Sequence, residues 1–187
     1  DAQSISDFRD RYLTGLKEYA KGARLVTDKM PLNFEHIGLI TKAFPEAKII
    51  HTVRDPRAVC WSNYKTYFPA KGLGYAYDLK DVAEFYRLYV ELMAFWEEKL
   101  PGKIYHLSYE RLTEDQEAES RRLIAYVGLD WEEGCLNFHE NQRSIRTASQ
   151  EQVRKKMYKG SSEEWRKWAP FLGAEFDHVT ELVGMNK

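Results

Sequence analysis

Arg54 and Ser62, in the stretch AKIIHTVRDPRAVCWS (residues 47–62), have the types and spacing to hold an oxyanion. The stretch runs apolar and β-branched up to Val53, as strands buried in parallel sheets do. It turns polar at Arg54, and Asp55 followed by Pro56 reads as a helix N-cap and first helical position. Ser62 then lies two turns along, on the face that begins at Asp55. In open α/β sheets, ligands bind beyond the carboxyl ends of the strands. A guanidinium there and a hydroxyl on the helix face could clasp one oxyanion, with the helix N-terminus adding its dipole. The competing reading pairs Arg54 with Asp55 or another neighbour and leaves Ser62 an ordinary helix-face serine.

Two more segments bring ligand-type residues to strand ends. VTDKMP (26–31) places Lys29 at the end of a β-prone run, ARLVTDK. HLSYE (106–110) places Tyr109 at the end of KIYHLSY, where its ring could stack on a base. A basic stretch follows at 152–160. Neither the histidines nor Cys60 and Cys135 have metal-ligand spacing, so no metal site is expected. KGLG at 71–74 follows no strand and opens no helix, which excludes it as a phosphate cradle.

The elements that must position these residues alternate. Apolar spacing predicts helices over 4–21 (Phe8, Tyr12, Leu16, Tyr19), 33–44 and 79–100, the last stopped by Pro101-Gly102. A loop is expected at 68–78, a further helix at 115–127, and short helical pieces from Glu132 onward. Strands alternating with amphipathic helices predict one α/β domain, residues 1–187, around a parallel sheet. With 28 basic and 29 acidic residues the net charge is −1, so no global field draws the chain to nucleic acid or a membrane surface. No apolar run reaches the ~20 residues of a membrane helix, and two lone cysteines fit a cytoplasmic setting.

Taken together, VTDKMPLNFEHIGLI, FPEAKIIHTVRDPRAVCWSNY, HLSYERL and RTASQEQVRKKMYKGSSEEWRKW resemble the sulfotransferases that use 3′-phosphoadenosine 5′-phosphosulfate (PAPS). They are similar in particular to bacterial domains often joined to tetratricopeptide repeats, themselves distantly similar to protein-tyrosine sulfotransferases. The resemblance runs from Leu13 to Leu172 and implies a three-layer, P-loop-NTPase-like α/β fold with a central parallel sheet. It implies that Arg54 and Ser62 bind the 3′-phosphate, that Tyr109 contacts the adenosine, and that Ser149 contacts the nucleotide. Arg154, Lys155, Lys159 and Gly160 match a segment that closes over the nucleotide phosphates. Lys29 falls where the family faces the transferred sulfuryl group, a position held by a histidine base in some members. Glu35 and His36 lie nearby in sequence, as further candidates for that base.

One family feature is absent from these 187 residues: the 5′-phosphosulfate loop of form Pro-Arg/Lys-Ser-Gly-Thr-Thr. The first strand, that loop and its helix are expected upstream of Asp1, and the chain alone is expected to catalyse poorly. The implied donor is PAPS, with adenosine 3′,5′-bisphosphate as product and no metal. The acceptor would be a hydroxyl or amine on a small molecule, peptide or carbohydrate, with the 68–78 loop shaping its pocket. An upstream tetratricopeptide-repeat domain is a further implied partner. Two rivals stand beside this reading. One is a nucleotide kinase or NTPase of related fold, which needs a Walker lysine and a magnesium-binding hydroxyl. The other is a non-catalytic module that binds a nucleotide or a partner through Trp165, Trp168 and Phe171.

Overall fold

The β-branched run before Arg54 becomes strand β1 (Ile49–Val53) in the computed structural model, which describes residues 2–68, 72–141, 154–173, 176 and 179. β1 pairs with β2 (Ile104–Ser108) in a small parallel sheet of two strands. The helices in chain order are α1 (Ala2–Ala20), α2 (Ile37–Ala43), α3 (Pro56–Tyr64), α4 (Leu79–Lys99), α5 (Tyr109–Glu114) and α6 (Gln116–Val127). Short 3₁₀ turns occupy Pro31–His36, Gly74–Tyr77, Glu133–Glu140, Ser161–Lys167 and Ala169–Phe171. The chain divides into two compact units, Asp1–Ile49 with Glu91–Lys103, and Ile50–Val90 with Ile104–Lys187.

In the first unit, Phe8 and Tyr12 lie one turn apart on α1 and pack against Phe44, with ring centroids 6.0 and 5.0 Å away. Arg9 donates to the Ala43 carbonyl (2.7 Å) and pairs with Glu46 (2.5 Å). Trp96 donates its indole N–H to the Phe34 carbonyl at 2.8 Å and brings the edge of its ring to Gly38, where a Cβ would sit 2.8 Å from two ring carbons. Because that hydrogen bond holds the ring, Gly38→Ala is expected to destabilise the chain by about 1–3 kcal/mol. Urea denaturation of the two proteins measures it, and an unchanged midpoint would contradict the packing.

The β-prone run ARLVTDK does not form the expected strand. Residues 25–30 have no regular secondary structure, and Leu25 and Val26 are exposed. β-propensity yields a strand only where a neighbour completes the ladder, and among the described residues none pairs with this run. The predicted helix at 33–44 begins instead as a 3₁₀ turn from Pro31 and becomes α-helical at Ile37.

The second unit carries the core. Asp78 caps α4 by accepting from the Lys80 and Asp81 amides. The helix then buries Val82, Ala83, Tyr86 and Val90 at the 3.6-residue period. These pack with Ala58 and Cys60 of α3 and with Trp165, Leu172, Phe176 and Val179. In the expected loop before α4, Tyr75 of the Gly74–Tyr77 turn stacks on Phe85 with centroids 4.0 Å apart. Asp115 caps α6 and Gly128, in the left-handed conformation, ends it.

At the middle of the sheet, His51 and His106 face each other with Nδ1 atoms 2.9 Å apart, and His51 Nε2 meets the Tyr89 hydroxyl. Burial, and then the neighbouring His106, lower the His51 pKa from 6.5 to about 4. Between those values the unfolded chain binds a proton that the folded chain refuses. Stability therefore falls as pH drops from 6.5 towards 4, at up to about 1.4 kcal/mol per pH unit from this group. Urea denaturation across pH 4–7 is expected to show a shallower slope for His51→Gln than for the parent chain; parallel slopes would contradict the assignment.

Candidate functional site

The residue after β1 is the centre of a half-buried polar cluster in the second unit. Pro56 has no N–H and fixes φ, and the Asp55 carboxylate accepts from the Ala58 amide at 3.0 Å, so α3 starts where the sequence predicts. Arg54 is thereby held at the strand end. Its Nε donates to Ser162 Oγ at 3.0 Å and one Nη2–H to the Ser161 carbonyl at 2.7 Å. Its guanidinium carbon lies 4.8 Å from the centre of the Tyr109 ring, a cation–π contact. The Tyr109 hydroxyl is 2.9 Å from Ser161 Oγ.

Two carboxylates brace this cluster. Glu110 Oε1 accepts from the Ser162 hydroxyl at 2.6 Å and from the Asp55 backbone amide at 3.0 Å. Asp55 Oδ2 pairs with Arg57 at 3.0 Å, and the Arg57 guanidinium lies 4.5 Å from the Trp165 ring. Arg57 Nε is buried with no hydrogen-bond partner among the described residues, an unspent donor beside the cluster. Cys60, one turn further along α3, is buried, and burial pushes its thiol up to about 12. An inert, packed cysteine is the consequence.

The expected residues fall out as follows. Arg54 and Tyr109 come together, as ring and cation. Ser62 is half-buried on α3, its carbonyl accepts from the Thr66 hydroxyl, and no hydrogen bond joins it to Arg54 among the described residues. The α3 N-terminus has less to offer an anion than expected, since Pro56 lacks an N–H and Asp55 already holds that of Ala58. Gly160 takes φ 87°, a left-handed turn suited to glycine, and delivers Ser161 and Ser162 to Arg54. Lys155 and Lys159 are exposed, and Arg154 donates to the Asn141 carbonyl at 2.6 Å. Lys29 belongs to the first unit, exposed in the irregular segment before Pro31. Ser149 lies outside the described residues.

Ser161, Ser162, Glu110 and Arg57 were not singled out from sequence. The signal for the serines was Lys159-Gly160 immediately before them, a turn that must place something. Glu110 had the weaker signal of adjacency to Tyr109.

What the arrangement can do follows from donor counts. Arg54 spends two of its N–H donors on Ser161 and Ser162, and a guanidinium carries five, a kind of donor that pairs with oxyanions. Among the described residues no group of three or more His, Cys, Asp or Glu side chains is arranged to hold a metal, and no helix is long and apolar enough to cross a membrane.

A family model described as Sulfotransferase family matches residues 3–133. The chain is similar to an uncharacterised protein of Aquifex aeolicus (strain VF5), 37% identical over 180 residues, which is 91% of this chain and 24% of that protein. It is also similar to the omega-hydroxy-beta-dihydromenaquinone-9 sulfotransferase Stf3 of Mycobacterium bovis and of Mycobacterium tuberculosis. Each is 34% identical over 118 residues, 59% of this chain and 30% of the relative. The chain thus spans less than a third of the length of each of these relatives.

Proposed function

Because the chain belongs to the sulfotransferase family, we propose that it forms the 3′-phosphate and adenosine half of a site that transfers a sulfuryl group from PAPS to a hydroxyl or amine. The observation that carries this reading is the Arg54 guanidinium at the end of β1. It lies over Tyr109 and is bonded to the two serines that follow Lys159-Gly160. The strand-tip cation thus meets the two serines that directly follow the basic stretch.

In this reading Arg54 holds the 3′-phosphate with its free N–H donors, Ser62 adds a hydroxyl, and Tyr109 offers its ring edge to the adenosine. Lys155, Lys159 and the Gly160 backbone hold the phosphates from the C-terminal segment, and Arg154 and Ser149 are assigned to the nucleotide by the family resemblance. When bound, PAPS supplies the sulfuryl group and a phosphate leaving group, and transfer of this kind depends mainly on positioning and charge stabilisation. Lys29 is the residue assigned to face the transferred group. A three-layer P-loop-like fold around this sheet belongs to the same reading. An upstream tetratricopeptide-repeat domain and a cytoplasmic setting belong to the same reading. The acceptor is a hydroxyl or amine on a small molecule, peptide or carbohydrate, and the ω-hydroxy compound in the name of the mycobacterial relative favours a hydroxyl.

Calorimetry with chelator present tests it. Adenosine 3′,5′-bisphosphate is expected to bind without magnesium and at least about tenfold more tightly than ATP. A requirement for magnesium, or a preference for ATP, would turn the reading to a nucleotide kinase. A sulfate-transfer assay with PAPS separates an enzyme from a module that only binds.

A further inference from the structure

We infer that Glu110 is a positioning residue that sets the direction of the Arg54 guanidinium, acting through Ser162; this rests on the nucleotide reading above. Arginine has a long, flexible stem, and a cation–π contact at 4.8 Å from the Tyr109 ring holds the guanidinium near the ring without aiming its N–H fork. Aiming the fork needs hydrogen-bond partners. Ser162 Oγ is one of them, accepting from Arg54 Nε at 3.0 Å. A serine hydroxyl is a rotor, and it presents a lone pair to Arg54 only when its own proton is committed elsewhere. Glu110 Oε1, 2.6 Å away, takes that proton.

The same carboxylate oxygen accepts from the Asp55 amide at 3.0 Å, the peptide unit directly after Arg54. Glu110 therefore holds both ends of the arginine: its backbone junction directly, and its head group through Ser162. Ser162 is buried, at 6% exposure, so water has little room to replace the missing partner. An ionised carboxylate is acceptor-only, which suits an atom that must receive two donors. The amide oxygen of glutamine can receive both as well, whereas a methyl can receive neither.

The inference is tested by the ratio of affinities for adenosine 3′,5′-bisphosphate and adenosine 5′-monophosphate, measured by calorimetry alongside thermal stability. Glu110→Ala is expected to cut the preference for the bisphosphate about tenfold, and Glu110→Gln to restore it to within about threefold of the parent. Ser162→Ala is expected to lower the preference too, by no more than Glu110→Ala, which also loses the Asp55 amide, and combining them to add little beyond Glu110→Ala, because the head-group tie is one chain. If Glu110→Ala fails to fold, Ser162→Ala carries the same comparison. A preference that survives these variants, or equal losses for both nucleotides, overturns the positioning role and leaves Glu110 a structural tie. A parent chain that does not distinguish the two nucleotides overturns the nucleotide reading and this inference with it.

Discussion

Arg54→Ala is expected to weaken adenosine 3′,5′-bisphosphate binding by about 10- to 100-fold and to change adenosine 5′-monophosphate binding by less than about threefold. A charge-assisted contact to a phosphate contributes about 1.5–3 kcal/mol, and the alanine removes only the contact to the 3′-group. Arg54→Lys is expected to rescue little of this. Nε and Nη2 serve Ser162 and Ser161 at once, and a single ammonium cannot reproduce that fork while also facing a phosphate. Calorimetry with the two nucleotides measures the effect. Equal losses for both would mean that Arg54 holds the fold and not the 3′-phosphate.

Trp165→Ala is expected to cost about 3–5 kcal/mol of folding stability, the range for removing a large buried aromatic. Trp165 is 8% exposed and packs with Ala58 and Cys60 of α3, with Phe176 at 5.7 Å between rings, and beneath the Arg57 guanidinium. Its indole N–H is buried with no partner among the described residues. Trp165→Phe therefore removes an unsatisfied donor together with some volume, and is expected to cost less than about 2 kcal/mol. Equilibrium urea denaturation of both variants decides the matter. Equal costs would show that ring volume is not what Trp165 contributes. The alanine variant is also expected to lower bisphosphate affinity, because Ser161, Ser162 and Trp165 share one short 3₁₀ helix.

Much of the second unit was legible because its signals are local. Pro56 after Asp55 marked the start of α3, the apolar period marked α4, a β-branched run marked β1, and KIYHLSY marked β2. Arg54 and Tyr109 could be found for the same reason: each stands where an element ends. The strand expected at ARLVTDK failed because pairing, not propensity, makes a strand. Ser161, Ser162 and Glu110 stayed hidden because their roles come from contacts far along the chain. No pattern at residue 110 announces that its partner stands at 162. The apposition of His51 and His106 was hidden likewise, since register across a parallel pair is set by the whole crossover between the strands.

The bonds from Arg54 to Ser161 and Ser162 span 107 and 108 positions of sequence. Contacts of such separation close large loops and are among the slower ones to form during folding. During synthesis, β1 and α3 emerge long before the serines do, so the arginine waits for its orienting partners until the Gly160 turn has left the ribosome. The arrangement around Arg54 is thus completed late, and a nascent chain that has made only its first strand–helix junction carries the arginine without the partners that aim it.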